Sequence, residues 1–311
     1  MRIVFFGTGK FAVPVLKRLL ASDHEIAAVV TQPDKKKGRG WNVQPTPVKA
    51  VVEQMRPEVH VFQPEKASEA SFIDEMRGMG ADFFVVVDYG KKLPKVLLDL
   101  PGKYCINLHP SLLPKYRGAA PVNWAVLNGD KETGNTVIKM SEEMDAGDII
   151  AQEKVEIGED ETAVSLLERL SRDGADLVMK VIDMAEAGEE SFTAQDEKGA
   201  SYAPRLTKEQ GRIDWTISAA EITRKVKAMQ PWPGAFTSLG GRTLKIIEAC
   251  TESGTSDAPP GAVTDVKAFI VSTGEGSVRI KMLQIEGKKI MPVREFLKGH
   301  RIEKGTVLGA Q

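Results

Sequence analysis

The sequence predicts a two-domain chain, a doubly wound, mostly parallel α/β sheet followed by a small β-barrel. Three observations predict it. Short Val/Ile/Phe-rich runs alternate with helical stretches through the first half, the pattern of βαβ units whose right-handed crossovers cover both sheet faces. Near residue 206 the rhythm changes to short strands punctuated by Gly and Pro without crossover helices, which suits a barrel. The length of 311 residues allows about two domains.

In chain order, residues 2–6 read as a buried strand, 11–20 as a helix and 26–31 as a second strand. Helical stretches at 48–54 and 68–79 precede strands at 59–62 and 82–87, and 105–108 is the next strand. A strand at 136–140 leads to the turn around Asp145. The longest helical pattern, 162–186, repeats Val164, Leu167, Ala175, Val178 and Ile182 near helical spacing. The polar stretch "EAGEESFTAQDEKGASYAP" then loses periodicity and reads as a connection, with room for a short hairpin. The expected division is 1–188, a linker at 189–206, and 207–311. In the last part a helix at 218–229 precedes strands at 243–249, 261–265, 268–272 and 277–283.

Composition narrows the function classes. Apolar residues make up 42% and charged residues 27%, as in ordinary globular proteins. No run approaches the ~18 apolar residues of a membrane span, and the first residues reach Gly7 too soon for a signal-peptide core. Two cysteines, Cys105 and Cys250, form no Cys-x-x-Cys pair, so a reducing cytoplasm is expected. The net charge of −1 argues against a general nucleic-acid coat protein, yet 16 Lys+Arg face 11 Asp+Glu from Leu206 onward. The basic run of Lys35, Lys36, Lys37 and Arg39 is either a solvated loop or a phosphate contact.

Asn107 and His109 end the strand at 105–108, and ligands of such sheets sit beyond the carboxyl ends of the strands. At i and i+2 they share a face about 6.6 Å apart, and Pro110 biases His109 toward extended backbone. Cys105 shares that face but starts about 13 Å from His109, too far for a Cys–His nucleophile. The four histidines are isolated, so no metal site is expected. A lone histidine is often a satisfied core residue, and an aspartate in a turn is often only a turn residue. Together with Asp145 in "MDAGDII", however, they suit a reaction through an oxyanion. An amide donates to the developing charge, an imidazole moves a proton, and a carboxylate orients the imidazole. The rival motif is Gly7-Thr8-Gly9-Lys10-Phe11-Ala12, which matches the G-x-G-x-x-A dinucleotide fingerprint. The confirming acid is missing after the second strand, where Val30-Thr31-Gln32-Pro33 stands. A dehydrogenase is thus the weaker reading, and the glycines then serve close strand–helix packing.

Asn107-Leu108-His109-Pro110-Ser111-Leu112-Leu113-Pro114, followed by Arg117-Gly118-Ala119-Ala120-Pro121, resembles the signature of folate-dependent formyltransferases, and Asp145 matches their catalytic aspartate. The resemblance runs nearly end to end, through Gln32-Pro33-Asp34, Gly38-Arg39-Gly40, Pro47-Val48-Lys49, Ile213-Asp214-Trp215, Pro231-Trp232-Pro233-Gly234-Ala235-Phe236, Gly299-His300-Arg301-Ile302-Glu303 and Gly305-Thr306-Val307. It implies a Rossmann-like formyltransferase domain with an OB-like barrel after it. The implied reaction moves the formyl group of 10-formyltetrahydrofolate to the α-amine of methionine on initiator tRNA. Asn107 and protonated His109 would stabilise the oxyanion, with Asp145 setting the histidine's charge. Ser111, Leu112, Leu113 and Pro114 would line the folate pocket, with Tyr89 and Gly90 on the strand end expected near folate. The loop of Lys35, Lys36, Lys37 and Arg39 would enter the acceptor end of the tRNA, and the basic C-terminal domain would hold phosphates. Sugar-nucleotide N-formyltransferases share the Asn/His/Asp set and remain the alternative, as does an RNA-binding protein on an inactive fold; the basic loop and the C-terminal end favour tRNA. The resemblance implies no metal and no nucleotide cofactor, and nothing demands more than a monomer. Two places depart from the family pattern. Gly9-Lys10 stands where Pro-Glu is usual, and Asp88-Tyr89-Gly90-Lys91 where Ala-Tyr-Gly-Gln is usual.

Overall fold

An apolar run, Ile3-Val4-Phe5-Phe6, has no polar alternation and accordingly forms β1 (Arg2–Gly7) at the buried centre of a sheet. The computed structural model describes residues 1–37, 42–252, 254 and 257–310; the side chains of Lys36, Lys37 and Asn42 also lie outside the description. Arg39 is among the residues it does not describe. The chain separates into two compact units. One comprises Met1–Pro121, Glu132–Glu156 and Leu167–Ala203, and the other Val122–Lys131, Ile157–Leu166 and Pro204–Gln311.

In the first unit, α1 (Val13–Leu20) follows β1 and leads to β2 (Glu25–Val30). The basic run then forms β3 (Lys35–Lys37), antiparallel to β4 (Asn42–Gln44). Next come α2 (Pro47–Met55), β5 (Val61–Phe62), α3 (Ala70–Gly78), β6 (Phe83–Val87), α4 (Lys95–Leu98) and β7 (Tyr104–His109). Thr46 starts α2 by accepting a hydrogen bond from the Lys49 amide, and Pro47 occupies a first-turn position where a missing N–H costs nothing. After β7 the chain makes β8 (Arg117–Gly118), α5 (Pro121–Asn128), which from Val122 onward belongs to the second unit, β9 (Glu132–Lys139), β10 (Ile149–Glu156), α6 (Ala163–Ala187), whose residues up to Leu166 belong there as well, and β11 (Tyr202–Ala203). The main sheet has the order β10-β9-β7-β6-β1-β2-β5. Five strands are parallel, while β9 joins β7 antiparallel and β10 closes the edge antiparallel. Exposed Gln152, Glu153 and Lys154 on β10 suit an edge strand. The apolar cluster of one face gathers Val4, Phe6, Phe72, Phe84, Val86 and Tyr89. Phe6 meets Tyr89 edge to face at 5.5 Å.

The polar stretch after α6 is used for assembly. Tyr202 and Ala203 pair in parallel with Arg117 and Gly118, and Thr193 bridges Ile149.

The second unit carries α7 (Ala219–Ala228), whose Ser218 and Glu221 form a capping box. Its strands are β12 (Ala235–Leu239), β13 (Arg242–Glu252), β14 (Val263–Asp265), β15 (Ile270–Ser272), β16 (Ser277–Ile285) and β17 (Met291–Pro292), followed by α8 (Val293–Gly299). They form an antiparallel sheet in the order β12-β13-β16-β15-β14, with β17 on β16. The C-terminal segment closes it, because Val263 donates to Thr306, Leu308 to Gly261 and Gly309 to Ser238. One irregular segment thereby covers both free edges. Ile222, Phe269 and Phe296 fill the interior, and the Trp215 indole donates to the Thr237 hydroxyl at 3.1 Å. Among the described residues no helix is long and apolar enough to cross a membrane.

Candidate active site

β7 runs between β6 and β9, so both of its edges are paired: Asn107 lies opposite Val86 on one side and Ile138 on the other. The strand therefore presents Asn107 and His109 from rigid backbone at its carboxyl end. His109 is only 4% exposed. Its Nε2 lies 2.9 Å from the Tyr116 carbonyl, which has only an acceptor to offer, so Nε2 carries the proton. Tyr116 turns its backbone there with φ of 63°. On the other side of the ring, Nδ1 faces Asp145 Oδ2 at 3.7 Å, an ion-pair distance but not a hydrogen bond. The Asn107 carboxamide is half-buried and hydrogen-bonds to no described residue. Its N–H groups are free for a ligand.

The Asp145 turn is held from three directions. Asp145 itself has φ of 54°, a region aspartate tolerates better than most residues. Its Oδ2 accepts from the Gly118 amide at 2.8 Å. Gln195 Nε2 donates to the Asp145 carbonyl at 2.8 Å and to the Gly147 carbonyl at 2.7 Å. Gly147 lies so close to β9 that a Cβ there would overlap the Lys139 carbonyl. Gln195 is positioned in turn by Arg117, 3% exposed, whose guanidinium donates to Gln195 Oε1 and to both Glu197 oxygens. Sequence reasoning placed Gln195 and Glu197 in a linker. Their only signal was two side chains able to receive the fork of an Arg far away in the chain.

The 111–114 loop is fastened by Thr136. Its hydroxyl donates to the Ser111 carbonyl at 2.6 Å and accepts from the Leu113 amide at 3.1 Å, while Gln152 Nε2 donates to the Leu113 carbonyl. Ser111 Oγ donates to the Lys115 carbonyl at 2.6 Å. Ser111 and Leu113 are buried, and Leu112 and Pro114 are partly exposed.

At the end of β6, Tyr89 is 2% exposed with its ring in the apolar cluster. Burial pushes its hydroxyl up to about 12, and that hydroxyl has no described partner. What faces the strand ends is its carbonyl, which accepts from Thr8 Oγ1 and Gln32 Nε2. Gly90 takes a φ of 77° beside it. The departures from the family pattern fit together physically. Gly9 leaves the space in which Asp88 Oδ2 sits, and any Cβ at residue 9 would overlap that oxygen. Desolvation by the protein packed around the carboxyl pushes Asp88 up to about 6, although the residue as a whole is exposed. Lys91 points away, to the Pro64 and Glu65 carbonyls. Gly7 packs against Phe5, Ala12 and the Val87 carbonyl, so the fingerprint glycine serves close packing.

Burial pushes the Cys105 thiol up to about 12, unlike a nucleophile. Among the described residues one His/Asp/Glu group, His24, Asp183 and Glu186, could meet a metal. It sits before the start of β2, at the amino ends of the strands, and the chain's amino group already lies 3.4 Å from His24 Nδ1 and 3.7 Å from Glu186. Lys35 is exposed, with Nζ 3.4 Å from Gln32 Oε1; the Lys36, Lys37 and Arg39 side chains lie outside the described residues.

The formyl transferase family model matches residues 1–182, and the model of the formyl transferase C-terminal domain matches 205–301. A methionyl-tRNA formyltransferase of Geobacter sulfurreducens is 43% identical over 311 residues, covering 99% of this chain and 97% of the relative. One of Alkaliphilus oremlandii is 44% identical over 99% of this chain and 100% of its own. Among solved structures, HypX of Aquifex aeolicus in complex with tetrahydrofolic acid superposes with a TM-score of 0.66 at 21% identity over 98% of this chain. This chain spans about half of HypX, 50% of its length. WlaRD, a sugar 3N-formyl transferase crystallised with dTDP and 5-N-formyl-THF, gives 0.67 at 19% identity, over 93% of this chain and 99% of its own. At such identities the likeness to HypX and WlaRD is one of fold.

Proposed function

We propose, for a chain that belongs to the formyl transferase family through both of its parts, that it transfers the formyl group of 10-formyltetrahydrofolate to the α-amine of methionine on initiator tRNA. The observation that carries this reading is the identity of 42–44% across nearly the whole chain to methionyl-tRNA formyltransferases. The free Asn107 carboxamide beside His109 is what a formyl donor needs from the protein. The folate supplies an activated formyl carbon that a primary amine can attack. Asn107 donates an N–H to the oxygen that gains negative charge, which is where a fixed donor contributes most. His109 keeps Nε2–H on the Tyr116 carbonyl, so a proton taken from the amine goes to Nδ1. Asp145, facing Nδ1, attracts the resulting imidazolium, and the same proton can pass on to the departing nitrogen. The amine thus loses one proton and the leaving nitrogen gains one.

Residues 1–188 carry the transfer and 207–311 the tRNA contact in this reading, joined by 189–206, and the enzyme acts as a cytoplasmic monomer. Ser111, Leu112, Leu113, Pro114, Tyr89 and Gly90 border the folate, while Lys35, Lys36, Lys37 and Arg39 meet tRNA phosphates. A competition assay tests the acceptor. With one folate donor, charged initiator tRNA and an amino-sugar nucleotide are offered together, and formylated tRNA is expected. A formylated sugar as the main product would transfer the chain to the alternative activity.

A further inference from the structure

Every polar group of Gln32 is engaged. Its amide donates to Thr8 Oγ1 at 3.3 Å, and its carbonyl accepts from Gln63 Nε2 at 2.9 Å. Its Nε2 donates to the Tyr89 carbonyl at 2.8 Å, and Lys35 Nζ faces its Oε1 at 3.4 Å. A carbonyl on one side and an ammonium on the other permit only this orientation of the carboxamide. Thr8 repeats the link, because its hydroxyl donates to the same Tyr89 carbonyl at 3.0 Å. A Cβ on Gly90 would lie 2.7 Å from Gln32 Nε2, so the two segments touch without slack.

Beyond Gln32 the network holds both ends of the β3–β4 hairpin. Gln63 Nε2 also donates to Asp34 Oδ1, and Lys49 Nζ joins Asp34 Oδ2 at 2.6 Å to Gln63 Oε1 at 2.9 Å. Burial works against the Asp34 charge, but hydrogen bonds from Lys49 and Gln63 and the Lys49 charge hold its carboxyl below the usual range. The Thr31 and Thr46 hydroxyls meet at 2.8 Å, fastening the segment that enters β3 to the one that leaves β4. A displacement of the hairpin base must therefore pull on Gln32, and Gln32 holds the turn after β6.

We propose that Gln32 is a positioning residue that couples the base of the basic hairpin to the Asp88–Gly90 turn, so that tRNA on the first and the folate donor on the second strengthen each other's binding. This rests on the formyl-transfer reading above. A ligand at either end holds the same set of hydrogen bonds, and the second ligand then meets a segment already in place.

The test uses the full chain, 5-formyltetrahydrofolate as a donor analogue and uncharged initiator tRNA. The folate dissociation constant is measured with and without saturating tRNA. In the wild type, tRNA is expected to tighten folate binding by a factor of about 5 or more, and folate to tighten tRNA binding equally. In Gln32→Met, which keeps length but no polar atoms, the factor should fall to below about 2. Gln32→Glu, which turns an oxygen toward the Tyr89 carbonyl, should lose coupling as well. A purely structural role would weaken each ligand alone and leave the factor intact. A factor unchanged in Gln32→Met, or absent from the wild type, overturns the proposal. Should Gln32→Met fail to fold, Gln32→Glu carries the test, and wild-type coupling there overturns the proposal too. The functional reading fails on a different result, the absence of formylated tRNA from wild-type enzyme.

Discussion

Removing the Asn107 carboxamide separates catalysis from stability. The side chain hydrogen-bonds to no described residue and is half-buried, so Asn107→Ala leaves no buried partner orphaned. The expected cost is below about 1 kcal/mol, a melting shift of about 2–4 °C at most. In the transition state the same group faces a developing oxyanion, and losing one such donor lowers the rate by about 10²–10³, equivalent to about 2.7–4 kcal/mol. Because the bond exists only there, kcat and kcat/KM should fall together. Asn135→Ala gives the opposite pattern. That buried side chain donates to the Leu170 carbonyl at 2.8 Å, and its loss should cost about 1–3 kcal/mol of stability with a far smaller effect on chemistry. Rapid-quench single turnovers with saturating donor and methionyl-tRNA, beside calorimetric melts, read both quantities. An Asn107→Ala rate within about twofold of wild type, far short of the expected loss, would refute the oxyanion role.

Gly147→Ala should destabilise by about 2 kcal/mol and slow transfer at least about tenfold, since the new methyl meets the Lys139 backbone and not a movable side chain; an unaltered rate would detach the Asp145 turn from the chemistry. Arg117→Lys keeps the charge but not the fork that reaches Gln195 and Glu197, so transfer should drop by about tenfold with about 1 kcal/mol of stability, Glu197 being free to hydrate; a lysine variant matching wild type in single turnovers would contradict this. Asp88 has a folded-state value raised from 3.8 to about 6, so the native state holds its proton longer than the unfolded chain and this group lowers stability as pH rises through that interval. Asp88→Asn should therefore raise the melting temperature at pH 7 by about 2–4 °C, corresponding to about 1 kcal/mol once discounted for contact with water, and the gain should disappear below about pH 4. Melts over that pH range with a constant difference would show that Asp88 does not titrate as described.

The buried strands were legible because unbroken apolar runs have few alternatives: 2–6, 82–87 and 105–108 differ from β1, β6 and β7 by a residue or two. β9 begins at Glu132, earlier than the expected 136, because its polar first half resembles loop in composition. The edge strand β10 carries Gln152, Lys154 and Glu156 and gave only an apolar run at its start. The hairpin of β3 and β4 was hidden by its charge. In the site, Asn107 and His109 could be placed from strand periodicity and Pro110 alone. The Tyr116 carbonyl on His109 could not, since a backbone oxygen carries no residue signature. Nor could Gln195 and Glu197, which act through contacts 78 and 80 residues from Arg117.

The most direct test is the mass of the aminoacyl end of methionyl initiator tRNA after one turnover with 10-formyltetrahydrofolate. Wild-type enzyme and Asp145→Asn are compared side by side, the asparagine being suited to the left-handed backbone of that turn. Formyl on the α-amine is expected with the wild type, and unmodified methionine over the same interval with the variant. Unmodified methionine from both, or equal formylation by both, contradicts the assignment of this chemistry to Asn107, His109 and Asp145.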